Sequence, residues 1–229
     1  MEIIKFIRSL EDLLYEVMTW LLFYPRTFWR VLVAPQAVAA RALADLDDRA
    51  ATRFAGLVSP PLFLMLTILF AHGVEIEIHD NVLALMGQSG FAQRVTAKET
   101  NLLIFRVIGN SIVPLVMAYG FVRRQGLEVD AITLRSPFYL QCFFSAPLVV
   151  TVAIATTLHR AGNDVAAGVM AGVGGAWYLG VQGVWFARRL AVDRSRGFAI
   201  ALGLFAVSLV IVAVVGVVIF GLGRGAGLG

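Results

Sequence analysis

Residues 197–223 read GFAIALGLFAVSLVIVAVVGVVIFGLG, with no charged side chain and no proline. The run exceeds the roughly 20 apolar residues that cross the hydrocarbon core of a bilayer. A helix apolar on every side needs an apolar environment on every side, and lipid supplies one. Working back along the chain, four more charge-poor runs have comparable length: 165–187, 136–158, 101–122 and 54–74. The run at 54–74 is bounded by Arg53 and Glu75 and holds Pro60 and Pro61 in its first turns, where proline costs a helix least. The pattern predicts an all-α fold, a polytopic membrane bundle of five transmembrane helices over 54–223, with a lead over 1–53 and a loose tail over 224–229.

Composition points the same way. Hydrophobic residues make up 59% of the chain and charged residues 15%, against about 25% charged in an ordinary soluble domain. A net charge of +4 is too small to suggest a nucleic-acid partner. Cys142 is the single cysteine and lies inside an apolar run, so neither a disulfide framework nor a thiolate metal site is available. Glu2, Lys5, Arg8, Glu11, Asp12 and Glu16 interrupt the start, where a cleavable signal peptide needs an unbroken apolar core.

Lysine and arginine divide unevenly between the two sides of the expected bundle. Seven precede the first run, three separate the second from the third, and four separate the fourth from the fifth. The other side carries only Arg94, Lys98, Arg160 and Arg224. This bias places the amino terminus in the cytoplasm and the carboxyl terminus outside, most simply in a bacterial inner membrane.

Ahead of the bundle, residues 13–35 read LLYEVMTWLLFYPRTFWRVLVAP. Over 2–23, Ile3, Ile4, Ile7, Leu10, Leu14, Val17, Met18 and Leu21 share one helical face, and Lys5, Arg8, Asp12 and Glu16 fall on the other. The spacing predicts an amphipathic helix lying at the cytoplasmic interface and ended by Pro25. A short apolar element with Arg26 and Arg30 follows and closes at Pro35. Residues 36–51 then predict an alanine-rich helix polar enough to sit in water. Trp20, Tyr24, Pro25, Arg26, Phe28, Trp29, Arg30 and Pro35 together form a candidate partner surface, since aromatic rings and arginines suit the headgroup layer.

The segment Tyr24, Pro25, Arg26, Thr27, Phe28, Trp29, followed by Val33, Ala34 and Pro35, resembles the Yip family, Rab-GTPase-interacting five-span membrane proteins, and its bacterial relatives. The resemblance implies a non-enzymatic membrane protein that organises or binds partners, and the sequence itself shows no serine–histidine–aspartate set, Gly-rich phosphate loop or cysteine pair, so no cofactor is expected.

Within the expected spans, Arg106, Asn110 and Pro114 share a face. An arginine at mid-bilayer costs about 2.5–3.5 kcal/mol on insertion scales, so this face is read either as snorkelling and pairing with Glu99 or as a lipid or substrate contact. The second option is the basis of the rival functional class, a small permease or lipid carrier. Gln141, Ser145 and Gln182 either join that site or bond one helix to another. In 165–187, Gly168, Gly172, Ala176 and Gly180 recur every fourth residue beside Ala167, Ala171 and Gly175, which predicts close helix packing inside the bundle or, failing that, between copies. His72, Glu75 and His79 are metal ligands by type, but VEIEIH alternates as an extended surface segment does, so no metal is expected there. The expected partners are therefore membrane lipids and either another membrane protein or a second copy of the chain.

Overall fold

The computed structural model describes residues 2–47, 57–85 and 92–225. Among them all regular structure is helical: α1 (Glu2–Val33), α2 (Pro35–Asp47), α3 (Pro60–Leu85), α4 (Ala92–Arg124), α5 (Ala131–Arg160), α6 (Asp164–Arg189) and α7 (Arg194–Gly225). Four of the apolar runs lie within α4 to α7, and α3 takes up the run 54–74 from Pro60 onward. Three of these helices, α5, α6 and α7, are long and apolar enough to cross a membrane, and α3 adds the shorter apolar segment Pro60–Glu75.

The helices overrun the apolar segments because polar residues such as Glu, Lys and Arg extend a helix readily once it is nucleated. Thus α3 continues through VEIEIH to Leu85, correcting the extended reading of that stretch. The junctions are short and locally determined. Asp130 caps α5 by accepting from the amides of Ile132 and Thr133 at 2.9 and 2.7 Å, while Thr133 Oγ1 accepts from the Asp130 amide at 3.1 Å. Asn163 caps α6 through the Ala166 amide. Gly126 and Gly162 take φ of 73° and 79° in the turns before α5 and α6, a conformation that suits glycine.

Pro25 does not end α1. The helix runs on to Val33, and the break falls at Ala34, with Pro35 as the first residue of α2. A proline inside a helix costs about 3 kcal/mol. Here it stands on the exposed side, while Tyr24, Thr27, Phe28 and Val31 on the opposite side pack onto the bundle, and that packing outweighs the local preference. One face of α2 packs on the bundle, with Val38, Ala39 and Ala42 buried, while Ala37, Ala40 and Arg41 are exposed.

The centre of the fold is α5, which packs against α3, α4 and α6, and every residue of 140–149 is buried. Around it, α7 closes the outside of α4 and α6. Three aromatic rings join α4, α5 and α6, with Trp185 4.4 Å from Phe121 and 6.2 Å from Phe144 between ring centroids. The contacts place the α4–α5 and α6–α7 turns at one end of the bundle and the α5–α6 turn at the other.

The small residues that hold α6 in place are not the expected row. Gly168, Gly172, Ala176 and Gly180 are exposed, and a Cβ on Gly168, Gly172 or Gly180 meets nothing within 4 Å. Their expected role in packing within the bundle is corrected accordingly. A four-residue period shows that they share a face, and that face points outward. The close approaches are made by Gly174, where a Cβ falls 2.6 Å from Thr151 Cβ, and by Gly183, where it falls 3.1 Å from Phe198 Cα. Thr151 cannot swing aside freely, because its hydroxyl is bonded to the carbonyls of Pro147 and Leu148.

Gly174→Val should therefore destabilise the fold by about 1–3 kcal/mol, whereas Gly172→Val should leave the thermal midpoint in detergent near that of the parent. At the start of α5, the Thr133 amide and hydroxyl hold the Asp130 carboxyl below its ordinary value of 3.8. Stability from this carboxylate is fully present above the ordinary value and lost as pH falls through the lower folded value. Asp130→Ala should lower the midpoint at neutral pH, and thermal melts should show the gap to the parent closing on acidification.

Candidate functional site

The α1–α2 elbow is built onto the bundle by four polar contacts. Tyr24 Oη donates to Thr67 Oγ1 at 3.0 Å, and Thr67 in turn donates to the Phe63 carbonyl at 2.7 Å. Thr27 Oγ1 donates to the Phe23 carbonyl at 2.8 Å and accepts from the Val58 amide at 3.3 Å. Leu32 O belongs to the last turn of α1, whose carbonyls lack intrahelical donors, and Trp177 Nε1 of α6 supplies one at 3.2 Å. Gln36 Nε2, in the first turn of α2, donates to the Val181 carbonyl at 3.0 Å. Around these bonds the Tyr24 ring lies 5.2 Å from both Phe63 and Phe70, and Phe63 lies 5.6 Å from Phe143 of α5. Burial pushes the Tyr24 hydroxyl up from its ordinary value, against the opposing effect of the Thr67 bond, so it stays a neutral donor.

The surface expected from sequence is thus divided in two. Tyr24 and Phe28 face the bundle and form part of its packing. Trp20, Arg30 and Pro35 are half-buried, while Pro25, Arg26 and Trp29 are exposed. The residues that hold the elbow, Thr27, Gln36, Thr67 and Trp177, carry no local signal of that role, because each acts through a partner distant in sequence. Trp177 alone is marked, as a bulky ring in an α6 face otherwise rich in small residues.

A second polar constellation lies inside the bundle. Gln141 of α5 and Gln182 of α6 are fully buried and exchange amide hydrogen bonds, with Gln141 Nε2 donating to Gln182 Oε1 at 3.1 Å and Gln182 Nε2 donating back to Gln141 Oε1. Tyr178 and Ser145 bring two further buried hydroxyls beside the pair, neither with a hydrogen bond of ordinary geometry. For Gln141 and Gln182 the structure shows the interhelical bond, and Ser145 makes none.

The other candidates are placed as follows. On α4, Asn110 is half-buried and engaged, Pro114 is buried within a continuous helix, and the Arg106 side chain lies outside the described residues. On α3, His72 and Glu75 are buried and engaged, and the His79 side chain lies outside the described residues. No group of three His, Cys, Asp or Glu side chains suited to a metal ion occurs among the described residues.

Electrostatically the two ends of the bundle differ. Arg123, Arg124, Arg135, Arg188, Arg189, Arg194 and Arg196 are all exposed at the end that carries the α4–α5 and α6–α7 turns. Arg124 Nη1 donates to the Gly120 carbonyl at 3.0 Å, and the Arg135 guanidinium stands 5.6 Å from the Tyr139 ring centroid. At the opposite turn, exposed His159 Nδ1 meets Asp164 Oδ1 at 2.6 Å beside Arg160.

Comparison with protein-family models, curated proteins and solved structures gives no match to this chain.

The buried amide pair makes a quantitative prediction. Gln141→Leu alone strands the Gln182 amide and should cost about 1–3 kcal/mol. Adding Gln182→Leu removes both polar groups and should recover most of that loss, a coupling readable in a double-mutant cycle of detergent melts.

Proposed function

We propose that this protein is a non-catalytic integral membrane accessory or scaffolding component that organises partner membrane proteins or lipids. The observation that carries the reading is the outward-turned α6 ridge of Gly168, Gly172, Ala176 and Gly180, flanked by exposed Val165, Val169 and Val173. Hydrophobicity gives two helices in lipid no reason to associate, and small residues at this spacing provide one by letting backbones approach closely. The ridge contributes no close contact to its own bundle, so another span is its natural counterpart. The resemblance of 24–35 to the Yip family supports the same class of role, with the arginine-rich end in the cytoplasm and the inner membrane of a bacterium as the location.

The test is copurification from gently solubilised membranes, with the parent and Gly172→Leu compared. The parent should be isolated with a stoichiometric second chain, a second copy or bound lipid. Gly172→Leu should lose a protein partner without losing thermal stability. A parent isolated alone and monomeric, free of stoichiometric protein or lipid, would remove the basis of this reading.

A further inference from the structure

The depth at which the elbow is held points to its surroundings. Along α6, Trp177 lies twelve residues and Val181 eight residues before the terminal Arg189, or about 18 and 12 Å at 1.5 Å per residue. Along α3, Thr67 lies seven residues past Pro60, or about 10 Å from the helix start. These are the residues that bind Leu32, Gln36 and Tyr24. The hydrocarbon core is about 30 Å thick, so each leaflet contributes about 15 Å. With Arg188 and Arg189 at the headgroups, the turn between α1 and α2 is attached between the leaflet interior and the bilayer middle, while Thr27, bonded to the Val58 amide two residues before α3, is held at the end of the bundle.

The free side of the elbow has the chemistry of that location. Among the exposed residues described between 18 and 40, Arg26 is the single charged one; the others are Met, Leu, Pro, Trp, Val and Ala. Leu22 is 74% exposed, Trp29 65% and Val33 63%. Polar backbone at membrane depth needs internal partners, and the last turn of α1 has one in Trp177 Nε1. Arg26, one turn from Trp29 on the exposed side, has a long enough stem to carry its guanidinium towards the headgroups. The same apolar exposure continues on neighbouring α6 through Val173 and Val169.

We infer that residues 21–40 form a re-entrant elbow embedded among the acyl chains of the leaflet at the arginine-rich end, with Val33 and Leu32 deepest and Arg26 reaching back to lipid headgroups. It adds helix cross-section to that leaflet and none to the other. The inference does not depend on the scaffold reading, since it requires no protein partner.

The experiment uses full-length protein in phosphatidylcholine–phosphatidylglycerol vesicles. Single cysteines at Leu22, Trp29 and Val33 carry an environment-sensitive fluorophore, in a Cys142→Ala background. Probes at Val210 in α7 and Gln125 in the α4–α5 turn serve as the lipid and water references. The Val33 probe should be quenched by chain-brominated lipid within twofold of the Val210 probe and resist iodide, and the Trp29 probe should respond best to bromines nearer the headgroup. Iodide quenching at Val33 comparable to that at Gln125 would overturn the inference in favour of an elbow in water. Protection from both quenchers would overturn it in favour of a covering protein. Unchanged melting of the Leu22 and Trp29 variants ensures that the readings come from folded protein.

Discussion

The enclosure of α5 is the constraint from which the rest of the architecture follows. A helix buried continuously over 140–149 needs neighbours on every side, and α3, α4, α6 and the elbow supply them. Lipid and protein interior are equally apolar, so this enclosure gains little from hydrophobicity and depends on fit and on polar pairing. Phe143 and Phe144 fill the spaces toward α3 and α6, while Gln141 and Gln182 fix the register of α5 against α6 with a buried amide pair. Gly174 and Gly183 then set how closely α6 approaches α5 and α7.

Much of the helical architecture was readable from residues alone, since runs such as 197–223 leave few alternatives to a long apolar helix. The limits of that reading have physical causes. Pro25 marks a helix end in the sequence because the local cost of proline is visible there, whereas the packing of Tyr24 and Phe28 onto Phe63 is not. The α6 row illustrates a limit particular to membranes. In water, a face of small apolar residues is turned inward by hydrophobicity; beside lipid that force does not separate inside from outside. Periodicity therefore identified the row containing Gly172 correctly as one face but could not orient it. The polar residues Gln141 and Gln182 stood out by type, but their pairing spans 41 positions and depends on the register of two helices.

The elbow also changes how polarity is distributed in this chain. Its attachments lie along α3 and α6, through Thr67, Trp177 and Val181, and at Val58 just before α3. The helix pair α1–α2 behaves as an additional layer of the bundle on one side, and the arginines of α4, α6 and α7 mark the end from which it enters.

The Gln36–Val181 and Leu32–Trp177 bonds each join residues 145 positions apart. Ribosomes add about 5–20 residues per second, so the elbow is complete for roughly 7–30 s before its α6 partners exist. During that interval the carbonyls at the end of α1 lack their tryptophan donor, whereas Thr67 of α3, the partner of Tyr24, follows it by only 43 positions. The α1–α2 elbow can therefore complete its attachments only once α6 has been made, although its own residues come first.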